Sequence, residues 1–225
     1  MATQINPKDV KSPSFHKFYE KVVKPTTPEV KIYLKDDSKF MKLLNFFVGK
    51  FNKGFMTDYI TTIGTNIYFP KAKLEAEDES ATEILAHEWI HVRDEQRLKL
   101  LFRLGYLFPQ ILAVFALLGF FGFLFKPMFF MFLFLLFLAP LPAPFRMMFE
   151  VKAFRITKLF CKHYYGITDL KFVEDWVTEL MTKNSYYYAW PFETDVRKRY
   201  SDEKALETEQ DYDRIVDFIN AEMKQ

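Results

Sequence analysis

Residues His87-Glu88-Trp89-Ile90-His91 set two imidazoles four positions apart, with a carboxylate directly after the first. On a helix, positions four apart share a face, so His87 and His91 can grip one divalent ion while Glu88 serves as base towards a metal-bound water. Zinc is the ion expected for such a donor set. Two imidazoles leave zinc short of ligands, and hydrolytic chemistry needs a third protein ligand plus a fourth position open to water. A local third histidine is missing, because the positions that would carry Gly and His in a longer zinc motif hold Asp94 and Arg97. Glu95 lies on the same helix face one turn on, too nearly collinear with the two histidines to close a tetrahedron. Glu150 is better placed.

The elements that must position these residues are readable around them. Ser80-Ala81-Thr82-Glu83 has the Ser-x-x-Glu form of a capping box, which predicts a helix starting there and carrying the pentad two turns in. Residues 104–125 and 127–145 carry no charge, interrupted only by Lys126. The first run is long enough in α-helical form to cross a hydrocarbon core of about 30 Å, with Pro109 as a kink. Pro140, Pro142 and Pro144 forbid regular helix through the end of the second, which leaves spanning and re-entrant hairpins both open. A hairpin that leaves from the end of the metal helix must return near its start. Arg146–Lys158 is the predicted returning helix, with Glu150 in its first turns and Ala153 small enough to allow a close helix contact.

Composition limits the remaining functions. The 27 phenylalanines concentrate between Phe102 and Phe154, so the apolar excess is regional and the flanks read as an ordinary charged globular frame. A net charge of +2 with no continuous basic stripe argues against nucleic acid as a partner. A single cysteine, Cys161, excludes an internal disulfide and any multi-cysteine metal site. The polar N-terminus lacks the apolar core of a signal peptide, so targeting is expected from the internal segment. Arg93, Arg97, Lys99 and Arg103 before the hairpin, and Arg146, Lys152, Arg155 and Lys158 after it, outnumber Lys126 at its tip. This bias predicts an integral membrane protein with its catalytic side in the cytoplasm.

Elsewhere the patterns are local. Ser38–Phe51, with Phe40, Leu43, Leu44, Phe47 and Val48 at helical spacing, predicts an amphipathic helix packed on the core. Tyr59–Ile63 and Ile67–Phe69, separated by Gly64-Thr65-Asn66, predict a β-hairpin. Phe149–Tyr164 and Leu170–Met181 read as helices, Asp202–Lys224 as a charged, exposed terminal helix, and Tyr186–Pro191 as an aromatic loop that docks on the domain, in preference to sitting at the membrane interface.

With both halves assembled, His87-Glu88-Trp89-Ile90-His91 followed by Glu150-Val151-Lys152-Ala153 resembles the gluzincin branch of zinc metallopeptidases. The apolar hairpin between them resembles that of the membrane-bound HtpX and CAAX-prenyl-protease types. The resemblance covers roughly residues 57–160. Phe154 and Arg155 stand where that family commonly has an Ala-Asp pair, which points to a distant or minimal gluzincin. It implies an α+β, zincin-like, mainly helical domain with a small sheet, in two parts (residues 1–99 and 146–225) around a transmembrane or re-entrant hairpin at 100–145. It further implies zinc on His87, His91 and Glu150, Glu88 as general base, and an edge strand, Ile67-Tyr68-Phe69, that pairs with extended protein or peptide substrates, membrane proteins among them. His163, Tyr164 and Tyr165 are further candidates to stabilise an oxyanion. The alternative is a membrane-inserting scaffold with a structural or vestigial zinc site. Phe55–Pro70 resembles uncharacterised proteins of tailed phages, which extends that alternative to a phage-encoded protein. Substrate and oligomeric state are open.

Overall fold

A computed structural model describes residues 2–50, 52–139, 141–183, 189–202 and 210–223. The chain is mostly helical with one three-stranded sheet, an α+β arrangement. It divides into two compact units. One comprises residues 1–97, 153–170 and 203–225; the other comprises 98–152 and 171–202.

The first unit is built around α3 (Ser80–Leu98), which carries the pentad. Strands β1 (Lys31–Leu34), β2 (Thr61–Ile63) and β3 (Asn66–Phe69) pair in the order β1-β3-β2, with β1 parallel and β2 antiparallel to β3. The predicted hairpin is present, and Gly64 supplies the positive φ of 63° that its tight turn requires. Position Ile67-Tyr68-Phe69 differs from expectation. These residues form the central strand, with backbone groups engaged by Ile32, Tyr33 and Leu34 on one side and Thr61 and Thr62 on the other, so β3 is no edge strand. The outer side of β1 receives the N-terminal arm through Ile5 N–H to Ile32 O and Leu34 N–H to Thr3 O, which puts β2 at the opposite edge.

Under the sheet, Phe15, Phe18, Ile32, Ile67, Phe69, Leu85, Trp89 and Ile156 form the buried core. Phe15 and Phe18 come from α1, helical over residues 15–26. Helix α2 (Lys39–Val48) forms as predicted, with Ser38 Oγ accepting from Met41 N–H at its start. Its packing differs from the prediction in part: Phe40 and Leu43 face solvent with Phe46, Leu44 and Val48 are half-buried, and Met41 is fully buried. The terminal helix also differs. Residues 203–209 lie outside the described residues, but Gln210–Phe218 is docked rather than exposed, because Tyr212, Ile215, Phe218 and Ile219 enter the core. Their spacing makes one apolar stripe amid the charges.

In the second unit, α4 (Leu100–Leu107) follows a break at Lys99, whose φ is +50°. Two 3-10 helices, Gln110–Phe123 and Lys126–Leu138, then form the apolar hairpin. The first apolar run, expected as a span kinked at Pro109, forms two helices. Leu100–Leu107 and Gln110–Phe123 are bent by 86° at Pro109, where proline removes a helical donor, and among the described residues no single helix is long and apolar enough to cross a membrane. Helix α5 (Pro144–Leu159) starts on Pro144, a residue suited to a first helical position, and runs from the second unit into the first. Helices α6 (Lys171–Thr182) and α7 (Glu193–Tyr200) cluster with the hairpin, joined by Arg197 to Asp175 and Glu174. The aromatic run Tyr186-Tyr187-Tyr188 lies outside the described residues.

Candidate metal centre

Helix α3 begins at Ser80, but not through the predicted capping box. Ser80 Oγ donates to Asp78 Oδ1, and Glu83 is turned inward, hydrogen-bonded to Thr157 on α5. Burial raises the pKa of Glu83. The start is secured by Glu79, a buried carboxylate that accepts from Ser12 Oγ at 3.0 Å, Ser14 Oγ at 2.9 Å and Thr82 Oγ1 at 2.9 Å. These bonds fix the N-terminal arm to the helix while satisfying a charge that would otherwise be costly to bury.

Further along, Trp89 is fully buried, donating from Nε1 to Thr27 Oγ1 at 3.2 Å and meeting Phe18 edge-on. Arg93 and Arg97 at the helix end hold the buried Asp211 through contacts of 3.1 and 2.6 Å. With one face fixed by Trp89 and the C-terminal turns by Asp211, the rotation of α3 is determined. His87 and His91 consequently share one face, with ring centroids 5.0 Å apart.

The ligand atoms of His87, His91 and Glu150 lie within 4.8 Å of one another, and all three residues are buried. Two imidazoles and a carboxylate form a donor set suited to a divalent transition metal, and this group could hold a metal ion. Glu150 stands on α5 one turn before Ala153, which is itself buried in the core with Ala86 and Ile90. Glu95 is not part of the group.

Four further residues surround this group and Glu88. Phe154 places its ring 4.5 Å from that of His87 and fixes the imidazole edge-on. Tyr106 Oη donates to Glu150 Oε1. Thr62 Oγ1, on β2, donates to Glu88 Oε2 at 2.6 Å. Lys35 follows β1 and is fully buried; its ammonium donates to the carbonyls of Phe55 and Tyr59 and lies 3.9 Å from the centre of the Phe55 ring. Burial pushes Lys35 down to about 8, against the opposing pull of the Glu88 and Asp36 carboxylates. Thr62 and Tyr106 reach the group by tertiary contact, which spacing within the motif does not report.

Other candidates fall away from it. His163 and Tyr164 lie in the π-helical turn Phe160–Tyr164, followed by Tyr165, roughly 20 Å along the helix from Glu150 at the usual rise. Burial drives the Cys161 thiol up to about 11, the opposite of what a reactive thiolate needs. Comparison with protein-family models, with curated proteins and with solved structures finds no match. The functional reading rests on the chain's own geometry.

Proposed function

We propose that the chain is a membrane-bound zinc endopeptidase of the gluzincin kind, with His87, His91 and Glu150 as metal ligands and Glu88 as general base. The observation that carries this reading is the buried convergence of Glu150 with two histidines far from it in sequence. When bound, zinc would lower the pKa of a water towards about 7 and polarise the scissile carbonyl. Glu88 takes the proton from the attacking water and passes it to the leaving amine. Thr62 holds one oxygen of Glu88 and so aims the carboxylate, while Tyr106 and Phe154 orient Glu150 and His87.

Extended peptide would pair along β2, the sheet edge that also carries Thr62, so the sheet edge and the base belong to the same strand-helix contact. The exposed phenylalanines and leucines of the hairpin are suited to a bilayer, as a broken span or a re-entrant loop. The catalytic side is assigned to the cytoplasm from the flanking positive charges.

The same apolar surface favours a second reading, a membrane-inserting scaffold in which the metal group is structural. Glu88 separates the two, because a purely structural metal has no use for a base beside an open coordination position. In Glu88→Gln the endopeptidase reading expects zinc content unchanged and hydrolysis of an unfolded protein substrate reduced by about 10²–10⁴-fold. Full biological activity in Glu88→Gln would transfer the assignment to the scaffold.

A further inference from the structure

Helix α2, in the first unit, is a second place where large apolar side chains meet solvent. Phe40, Leu43 and Phe46 are 54 %, 59 % and 63 % exposed, while Met41 is fully buried. At 100° per residue, Lys39 and Lys42 fall on the same side of the helix as Leu43 and Phe46; Lys50 follows just beyond the helix end, and all three lysines are exposed. The Lys50 ammonium lies 4.9 Å from the centre of the Phe46 ring. From Lys39 to Thr57 the chain carries four lysines and no acidic residue.

This mixture decides what can cover the face. A protein groove that accepted Phe40, Leu43 and Phe46 would also have to desolvate or neutralise several ammonium groups. A lipid surface accommodates both without rearrangement: the apolar side chains enter the boundary between headgroups and acyl chains, and the lysine stems extend outward to place their charges among the phosphates. A run of lysines without acids adds attraction for anionic headgroups. We propose that α2 is an interfacial helix that binds an anionic lipid surface. It shares with the functional reading only the bilayer, and requires neither the metal nor the hairpin.

An environment-sensitive fluorophore on Leu43→Cys of the full chain tests this, with a separately labelled Phe123→Cys reporting the hairpin. Vesicles of phosphatidylcholine containing phosphatidylglycerol should shift the position-43 emission to the blue. Vesicles of phosphatidylcholine alone, or the added pair Lys39→Gln and Lys42→Gln, should weaken that response by about 10–30-fold. These lysines are exposed, so the variant retains the core. No shift at position 43 with anionic vesicles overturns the proposal, as does a shift indifferent to the lysines. A shift that grows with protein concentration and needs no vesicles overturns it in favour of a second copy of the chain. A silent probe at position 123 removes the hairpin from the bilayer and leaves the result for α2 standing.

Discussion

Helix α3 and the apolar hairpin are close neighbours in the chain and are specified in opposite ways. In α3 individual residues have individual partners: Glu79 with Ser12 and Ser14, Trp89 with Thr27, Arg93 and Arg97 with Asp211. In the hairpin, pattern rather than partner sets the structure. Ala116, Gly119 and Gly122 recur every third residue and are buried, while Phe129 and Phe132 cover Gly122 and Gly119 with the same spacing. A period of three is that of the 3-10 helix, in which positions i and i+3 eclipse. The helix that carries the candidate metal group is held by tertiary anchors at both ends, whereas the hairpin is closed by size complementarity within itself.

The anchoring half of that comparison is most exposed to a substitution at Asp211. Asp211→Ala leaves two arginines without their buried carboxylate and should lower the stability of the first unit by about 2–3 kcal/mol, read from denaturant unfolding, discounted from a fully buried pair because the arginines are partly exposed. A loss of a few tenths would mean that α3 is not held at this end.

The hairpin half is sharpened by Gly122→Leu. A Cβ there would stand 2.6 Å from the Phe129 ring, so the two 3-10 helices must separate, at a cost of about 1–3 kcal/mol for overpacking. Amide exchange over 110–138 should accelerate, with zinc affinity unchanged. Weaker zinc binding in this variant would break the separation between the two regions.

Tyr106 lies on the helix leading into the hairpin and donates to Glu150. Tyr106→Phe removes only the hydroxyl and is expected to weaken zinc binding by about 10–100-fold, measured by competition with a chelator. Equal affinity would show that Glu150 needs no such support.

The smallest effect concerns pH. Lys35 has a folded value of about 8 against 10.5 ordinarily, so between those values the unfolded chain holds the extra proton and stability rises with pH. Thermal midpoints should increase across that window, and Lys35→Met should flatten the increase. An unchanged slope in the variant would assign the pH dependence to other groups.

Much of the metal group was legible in the sequence because it depends on short-range geometry. Four-residue spacing places His87 and His91 on one face, and chain return after an apolar hairpin brings Glu150 back. The β-hairpin was legible from Gly64 and its alternating flanks. Misreadings occurred where long-range packing chooses between two faces or two partners. Ser80 and Glu83 have the form of a capping box, yet Thr157 and Asp78 offered other bonds. The apolar residues of α2 predict a core helix, but Met41 is the residue fully buried, while Phe40 and Leu43 stay exposed and Leu44 and Val48 are half-buried. Ile67-Tyr68-Phe69 reads equally well as edge or centre, and only the pairing of β1 decided it. Pro109 reads as a kink in the first apolar run, but its local chemistry does not set the size of the bend, which is 86°.

The central claim is that residues on α3 and α5 form one metal site, and its most direct measurement is zinc content and affinity in the purified full chain and in Glu150→Ala. The account predicts one zinc per wild-type chain and severely weakened binding in Glu150→Ala, with the fold retained by circular dichroism. A Glu150→Ala protein that binds zinc as tightly as wild type would contradict it.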